Sequence, residues 1–286
     1  MIDEIVNYCH EQYQNKPLFC ENCDEYFCNK GCKQCLHDIH FTQDCHRNYD
    51  CPYMCYYYVC QNIHRYATEM AWIWNDLLSN FAGNGKLFGN LNICSIGCGP
   101  CSELIALEEY CLRKPFPIIY SFVGFDTECT WNDIQNVVKN NTFNPAVVSF
   151  EHTDVFRYYD THDKPNVIIL NYVLSSIAKN NPNSVDAFIN SVCILFKTMG
   201  PGAIILNDIN HFSARNIFYK ILIKTIQDNQ DLLFQQYYFN NTIKACIPYG
   251  SCRGNSSLWL KPNNFIQLNY STNTECHSAQ MIIIKK

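Results

Sequence analysis

Residues 91–103 read LNICSIGCGPCSE, and this stretch decides the fold. A short apolar run turns on two glycines one residue apart, Gly97 and Gly99, and continues as a helix-like sequence. Such a turn from strand to helix directs backbone N–H groups and the helix N-terminus at a ligand. A second apolar run, residues 122–125, is followed by Asp126, whose carboxylate can accept both hydroxyls of a ribose. The two segments together predict a site for a nucleoside-bearing cofactor.

Apolar strands and amphipathic helices alternate from residue 91 onward. Strands are predicted at 92–96, 118–125, 146–151, 166–171 and 203–208, and helices at 102–113, 130–140, 184–198 and 212–229. This alternation is typical of an α/β protein whose parallel sheet is covered by helices on both faces. Two further strands are predicted at 232–239 and 281–284, and an amphipathic helix precedes the sheet at 61–81.

Two more segments extend the pattern, and with them residues 61–286 resemble the class I S-adenosylmethionine-dependent methyltransferases. The first segment, HTDVF at 152–156, follows the third strand, and the second, NYVLSS at 171–176, ends the fourth. The resemblance implies a Rossmann-like methyltransferase fold, with a mostly parallel seven-stranded sheet whose last strand is antiparallel. It also implies S-adenosylmethionine as the cofactor and methyl transfer as the reaction.

The resemblance further implies which residues form the site. The glycine turn would pack under the methionine part of the cofactor, Asp126 would hold the ribose hydroxyls, and Asp154 would meet the adenine amino group. The implied cofactor-binding residues are Gly97, Cys98, Gly99, Asp126, Thr127, Asp154, Val155 and Asn171. Asn171 and Tyr172 are implied near the transferred methyl, as catalytic residues. Asp208 and His211 are further candidates for a base that assists the methyl acceptor.

Two positions depart from the family's glycine motif. The family usually has an acid two residues before the first glycine, where this chain has Ser95, and often a further glycine where this chain has Cys101. The first change puts the usual contact to the cofactor's amino group in doubt. The second is expected to require a slightly wider turn.

Other nucleoside-binding classes fit the motif less well. Rossmann dehydrogenases carry a third glycine, at the position that Ser102 occupies here. The Asn-Pro-Pro-Tyr type of signature found in enzymes that methylate exocyclic base amines or glutamine amides is absent, because Val173 follows Asn171 and Tyr172. These acceptors are therefore less favoured.

Cysteine is concentrated before the sheet: ten of the nineteen cysteines lie within the first sixty residues. Cys20-x2-Cys23 and Cys32-x2-Cys35 have the spacing of zinc knuckles, and without a secretion signal a metal site is favoured over disulfides. We therefore predict a zinc-binding domain over 1–60 and a methyltransferase domain over 61–286. The predicted metal ligands are Cys20, Cys23, Cys28, Cys32, Cys35, Cys45, Cys51, Cys55 and Cys60.

Three alternatives for the cysteines stay open. They could be buried free thiols, although a dense cluster in a polar segment makes this reading poor. Cys28-x3-Cys32-x2-Cys35 matches the iron–sulfur signature of radical S-adenosylmethionine enzymes, but those enzymes need a large β/α barrel. Cys252 could act as a nucleophile, yet no proline–cysteine signature accompanies it.

Charge and hydropathy bound the partners. The net charge is −5, and residues 1–75 carry the whole deficit, with ten acids against five bases. This balance counts against a tight non-specific grip on nucleic acid. The sequence shows neither a signal peptide nor a membrane-spanning stretch, so we predict a cytoplasmic protein without a membrane partner.

The preferred hypothesis is an S-adenosylmethionine-dependent methyltransferase that acts on RNA or protein, with the zinc domain aiding substrate recognition. Substrate contacts are expected from residues 240–278. A small-molecule methyltransferase is one alternative. A degenerate methyltransferase fold that serves as a zinc-stabilised binding or scaffold protein is the other. The sequence does not indicate the oligomeric state.

Overall fold

The structure, a computed structural model, describes residues 1–16, 19–20, 25–26, 31–42, 48–81, 90–113, 118–229, 231–239 and 249–286. Its strands are β1 (Phe19–Cys20), β2 (Glu25–Tyr26), β3 (Leu91–Ile96), β4 (Tyr120–Phe125), β5 (Val148–Glu151), β6 (Val167–Asn171), β7 (Gly202–Ile209), β8 (Leu232–Tyr238), β9 (Ser251–Cys252) and β10 (Ser278–Lys285). Its α-helices are α1 (Ile2–Gln14), α2 (Gly31–Phe41), α3 (Pro52–Asn75), α4 (Ser102–Cys111), α5 (Asn132–Asn140), α6 (Val155–Thr161), α7 (Leu174–Asn180), α8 (Val185–Thr198), α9 (Phe212–Asp228) and α10 (Asn264–Tyr270).

A single large sheet has the strand order β5-β4-β3-β6-β7-β10-β8-β9. Strands β3 to β7 pair in parallel, and β10 is antiparallel to both β7 and β8. The α/β class, the mostly parallel sheet and the antiparallel last strand are therefore confirmed. In the part of the chain that the structure describes, this sheet has eight strands rather than the predicted seven, because the short β9 pairs with the end of β8.

Alternate residues of the central strands face two separate cores. Ile93, Ile169 and Ile205 lie in one core with the buried faces of α1, α3 and α4. Ile168 and Ile204 lie in the other core, with α8 and α9. Both faces of these strands are thus buried, which is why their sequences read as continuous apolar runs. The carboxyl ends of β3, β4, β6 and β7 meet at one edge of the sheet, where a ligand site is expected.

Helix α3 begins at Pro52 rather than at the predicted residue 61, and a π-helical segment, Asp76–Phe81, continues it. Proline suits the first turn of a helix, where its missing N–H has no intrahelical partner to lose. The predicted domain boundary between residues 60 and 61 therefore falls inside one continuous helix. None of the helices that the structure describes is both long and apolar enough to cross a bilayer.

Helix α1 packs against α3 and was not predicted. Its buried side chains, Ile2, Ile5, Val6 and Cys9, belong to the same core as the sheet. The Sγ of Cys60 donates a hydrogen bond to the carbonyl oxygen of Val6, 3.7 Å away. In the described residues, the amino-terminal helices and one face of the sheet thus share a core.

Candidate active site at the carboxyl edge of the sheet

The glycine turn places the end of β3 against two neighbouring loops. Gly97 adopts φ 66° and Gly99 φ 47°, values that an L side chain rarely allows. The N–H groups of Gly97 and Cys98 both donate to the carbonyl oxygen of Phe125, at 2.7 and 3.0 Å. A Cβ on Gly97 would lie 2.5 Å from Cγ2 of Val173. Glycine is required here because the loop after β6 leaves no room for a side chain.

Cys101 lies directly before helix α4, at the position for which the sequence predicts a slightly wider turn. Cys101 itself takes the left-handed conformation, with φ 58°. Its N–H donates to the carbonyl oxygen of Cys98 at 2.8 Å, which closes a turn over residues 98–101. A left-handed non-glycine residue costs about 1–2 kcal/mol. The chain accepts this strain at the first turn of α4.

Asp126 joins the ends of β3 and β4. Its Oδ2 accepts a hydrogen bond from the N–H of Gly99 at 2.8 Å, and its Oδ1 accepts one from the N–H of Glu128 at 3.0 Å. Burial raises the pKa of the Asp126 carboxyl, and the two backbone donors oppose that shift. Thr127 follows it with an exposed side chain. Asp126, the residue predicted to hold the ribose hydroxyls, therefore lies directly beside the glycine turn.

Asp154 caps helix α6. Its Oδ1 accepts from the N–H of Phe156 at 2.9 Å, and its side chain remains 52% exposed. The next residue, Val155, is buried. His152 links this segment to β4, with its Nδ1 3.0 Å from the carbonyl oxygen of Asp126. The cap and the contact of Oδ2 with Nε of Arg157, 4.0 Å away, explain an acid at residue 154 without a ligand, and the predicted adenine contact stays a prediction.

Asn171 ends β6 inside a network of buried polar side chains. Its amide nitrogen donates to Oγ of Ser102 at 2.7 Å and to Oε2 of Glu103 at 3.2 Å. Its amide oxygen accepts from the amide nitrogen of Asn207 at 2.8 Å. The strands β6 and β7 thus present a pair of asparagines toward the first turn of α4.

Tyr172 follows in a left-handed conformation, with φ 56°. Its hydroxyl donates to Oε2 of Glu69 at 2.9 Å. Burial, followed by the charge of Glu69, raises the pKa of the Tyr172 hydroxyl. The structure therefore brings the two predicted catalytic residues together and adds a carboxylate from helix α3.

Glu69 was missed by the sequence analysis. Besides Tyr172, its carboxylate accepts from the amide of Asn207 at 3.3 Å and from the N–H of His277 at 3.1 Å. It is fully buried in the middle of α3. A charged residue inside a helix as apolar as α3 is the signal that could have revealed it, because such residues are rarely buried without partners.

Glu103 was also missed. Oγ of Ser95 donates to its Oε1 at 2.5 Å, and Oγ of Ser102 and the amide of Asn171 donate to its Oε2. The side chain is fully buried, and burial raises the pKa of its carboxyl. The sequence signal was an acid in the first turn of α4 followed by four apolar residues.

Asp208 and His211 lie outside this network. Asp208 accepts from the N–H of Ser175 at 2.9 Å and from that of Ile209 at 2.7 Å, and burial raises its pKa to about 6. His211 is exposed and caps helix α9 through Ser213. Cys252 lies on β9, at the far edge of the sheet. Asp208 and His211 are thus held by local hydrogen bonds, and Cys252 lies on a different strand from the predicted catalytic residues.

Five aromatic side chains form a cluster that reaches the glycine turn. Successive ring centroids are 4.0 Å apart for Tyr66 and Tyr172, 5.8 Å for Tyr58 and Tyr66, and 5.7 Å for Tyr58 and Trp131. A Cβ on Gly99 would lie 3.7 Å from Cε2 of Trp131. Helix α3 and the segment before it thus bring aromatic side chains to the predicted cofactor site. We refer to Tyr49, Tyr58, Tyr66, Trp131 and Tyr172 as the aromatic cluster.

The predicted metal ligands divide into two groups. Cys23, Cys28, Cys45 and the side chain of Cys20 lie outside the described residues. The remaining five are buried: Cys32, Cys35, Cys51, Cys55 and Cys60. Cys32 and Cys35 lie on helix α2. Burial raises the pKa of the Cys60 thiol to about 12. Within the described ranges, no three side chains of metal-binding type meet.

Comparison with known proteins gives structural likeness without sequence likeness. No protein-family model and no curated protein matches the sequence. Magnesium protoporphyrin IX methyltransferase from Synechocystis, with bound SAM, is 12% identical over 76% of this chain and 79% of that chain, with a TM-score of 0.43. A plantazolicin methyltransferase in complex with a monoazolic desmethylPZN analog and SAH is 14% identical over 100% of this chain and 99% of that chain, with a TM-score of 0.45. Likeness at this level supports neither a substrate nor a residue role for this chain.

Proposed function

We propose that the chain is an S-adenosylmethionine-dependent methyltransferase. One observation carries the proposal: the Asp126 carboxylate accepts a hydrogen bond from the N–H of Gly99, at the carboxyl edge of the parallel sheet. The glycine turn, which can approach a ligand, and Asp126, which can hold a ribose, are therefore directly hydrogen-bonded to each other. Asn171 and Tyr172 lie at the same edge, one strand away.

The residues present fit a ligand of this kind. Gly97 has no room for a side chain, because Val173 packs against its backbone, and this keeps the glycine turn next to the loop after β6. Each oxygen of Asp126 accepts one backbone N–H and can accept a further hydrogen bond from a diol, and the Asp154 side chain is 52% exposed, with its Oδ2 4.0 Å from Nε of Arg157. We assign Gly97, Cys98 and Gly99 to the methionine part, Asp126 and Thr127 to the ribose, and Asp154 and Val155 to the adenine.

The chain's contribution to the reaction is mainly alignment. S-adenosylmethionine supplies a methyl group already activated on a sulfonium, so orienting the acceptor provides much of the rate enhancement. A hydroxyl or amine acceptor must also lose a proton. The Tyr172 hydroxyl and Glu69 Oε2, 2.9 Å apart, form the pair that we assign to receive it.

The class of methyl acceptor is assigned from burial at the carboxyl edge of the sheet. The sequence favoured RNA or protein. Burial instead favours a small molecule, because Asn171 is only 9% exposed and helix α3 reaches the Tyr172 hydroxyl through Glu69. The aromatic cluster beside the glycine turn suits a planar or cationic small acceptor. We therefore place a small molecule before RNA and protein.

We also propose that the segment from Cys20 to Cys45 binds zinc. The support is the spacing of Cys20-x2-Cys23 and Cys32-x2-Cys35. The described residues do not complete a site by themselves, so no step of the reaction is assigned to the metal. Metal analysis of the purified protein should find zinc in stoichiometric amount, and Cys23→Ser should reduce it. If the native protein contains no zinc, this part of the proposal is excluded.

Calorimetric titration with S-adenosylmethionine tests the cofactor. The native protein should bind it, and Asp126→Asn should weaken binding by about tenfold or more, since one charged hydrogen-bond acceptor is worth about 1.5–3 kcal/mol. Asp163→Asn is the matched control, because Asp163 is exposed and lies before the amino end of β6, at the other end of the strands from the site. This variant should bind S-adenosylmethionine as the native protein does. If the native protein does not bind S-adenosylmethionine, the methyltransferase proposal fails and the alternative of a degenerate fold that serves as a binding or scaffold protein is favoured.

Transfer of a tritiated methyl group identifies the acceptor. Labelled cofactor is incubated with the protein and fractionated cell extract, followed by nuclease or protease digestion. Label in a small-molecule fraction that resists both treatments is expected. Label released only by nuclease or only by protease would assign RNA or protein instead.

A further inference from the structure

Glu103 carries a buried charge that the described residues do not neutralise. Its carboxylate accepts hydrogen bonds from three neutral side chains, those of Ser95, Ser102 and Asn171. Its backbone carbonyl oxygen accepts a fourth hydrogen bond, from the indole N–H of Trp74. No basic side chain in the described ranges forms an ion pair with it. A buried carboxylate without a counter-charge is costly, and a bound cation would reduce that cost.

The position of this charge points to its ligand. Ser95 lies on β3, two residues before the glycine turn, and its hydroxyl holds Oε1 of Glu103 at 2.5 Å. The bonds to Oε2 are longer, 3.2 Å from Asn171 and 3.4 Å from Ser102. Oε2 is therefore the more weakly held oxygen, and it faces the side of the network that contains Asn171.

We propose that Glu103 binds the ammonium group of the cofactor's amino-acid part. The proposal rests on the proposed function, because S-adenosylmethionine carries this primary ammonium. Glu103 lies in the first turn of helix α4, and the Ser95 hydroxyl orients its carboxylate through a hydrogen bond. Ser95 replaces the acid that the family usually has at this position, and Glu103, eight residues further along the chain, would supply the negative charge instead.

A purely structural role would look different in one respect. If Glu103 only positioned Ser95 and Asn171, its loss would weaken every ligand that contacts those residues and would destabilise the free protein. If it binds the ammonium, its loss should affect ligands that carry the amino-acid group and spare those that lack it. Removal of an uncompensated charge should also leave the free protein as stable as before, or more stable.

The test compares S-adenosylhomocysteine with 5′-methylthioadenosine, which keeps the adenosine and the thioether but lacks the amino-acid group. Glu103→Gln keeps the shape and removes the charge. The matched control is Glu108→Gln, a second buried carboxylate on α4, whose partners are Tyr120 and the N–H of Phe143. Binding is measured by calorimetry and stability by thermal unfolding.

Glu103→Gln should weaken S-adenosylhomocysteine by about ten- to a hundredfold, the value of one charged hydrogen bond. Binding of 5′-methylthioadenosine should be unchanged, and Glu108→Gln should bind both ligands as the native protein does. Moving the acid to β3, in Ser95→Asp combined with Glu103→Gln, should restore part of the lost affinity. Glu103→Asp, which keeps the charge, is measured if Glu103→Gln does not fold, and it should lose less than tenfold.

Two results would overturn the proposal separately from the proposed function. Native-like binding of S-adenosylhomocysteine by Glu103→Gln would refute the ammonium contact alone. An equal loss for both ligands would assign Glu103 a positioning role instead. If the native protein binds neither ligand, the methyltransferase proposal itself fails, and the ammonium contact fails with it.

Discussion

At the scale of single residues, Gly97 shows how local geometry constrains the site. Its φ of 66° acts together with Val173 Cγ2, which lies 2.5 Å from the position that an alanine methyl group would occupy. Gly97→Ala should lower the free energy of unfolding by about 2–5 kcal/mol, from left-handed strain and overpacking. It should also prevent cofactor binding, because Val173 would be displaced. Urea unfolding and calorimetry measure the two effects.

Gly254 provides the control for this change. It adopts φ 71°, yet a Cβ there would meet no atom within 4 Å. Gly254→Ala should therefore cost only the conformational strain, about 1–2 kcal/mol. Equal losses at the two positions would show that Val173 yields and that the close approach has no role.

The residues of the site were only partly predictable. Gly97, Gly99 and Asp126 could be found because the turn and the strand end depend on neighbouring residues in the sequence. Glu69 and Glu103 were not assigned to the site, because the contacts that place them there join distant parts of the chain: Glu69 meets Asn207 and His277, and Glu103 meets Asn171. Buried charge is a property of the tertiary structure.

At the scale of secondary-structure elements, helix α3 imposes a pH dependence through His64. This side chain is 2% exposed, and neither ring nitrogen has a hydrogen-bond partner in the described residues. Burial lowers its pKa from 6.5 to about 4. Protonation is therefore easier in the unfolded chain, and the free energy of unfolding should fall as the pH decreases from about 6.5 to 4, by up to about 3 kcal/mol.

His64→Leu tests this dependence, since leucine keeps an apolar side chain inside α3. Urea unfolding across that pH range should show a smaller slope for the variant than for the native protein. Asp208 acts in the opposite direction, because burial raises its pKa to about 6 and favours the native state at low pH. The difference between the two proteins isolates the histidine. Identical slopes would contradict the burial argument.

The elements themselves were predicted unevenly. The central strands β3, β6 and β7 were located because each is an apolar run buried on both faces. Helix α1 was missed although Ile2, Ile5, Val6 and Cys9 follow a helical period, because the segment before residue 60 was interpreted as a cysteine-rich zinc domain without a clear period. The short helices α6 and α7 bury only a few residues each, so they leave little period to detect.

At the scale of the whole molecule, the amino-terminal helices are part of the main core. Ile5 on α1, Cys55 on α3 and Ile205 on β7 belong to one cluster of buried residues. A fragment of residues 61–286 should therefore expose apolar surface and fail to unfold cooperatively in urea, in contrast to the full chain. Circular dichroism follows the unfolding of the fragment and of the full chain in urea, and ANS binding reports the exposed apolar surface. Cooperative unfolding of the fragment would support the domain boundary predicted from the sequence.

The two-residue strand β9 has a consequence for solubility. A sheet edge with free N–H and C=O groups can pair with another chain, and natural proteins protect such edges. Here Ser251 and Cys252 pair with the last residues of β8, and Gly250 fits so closely against the carbonyl oxygen of Gln236 that a Cβ would collide with it. The opposite edge is the four-residue strand β5. A side chain at Gly250 would detach β9 and expose the end of β8, so aggregation would be its first visible effect.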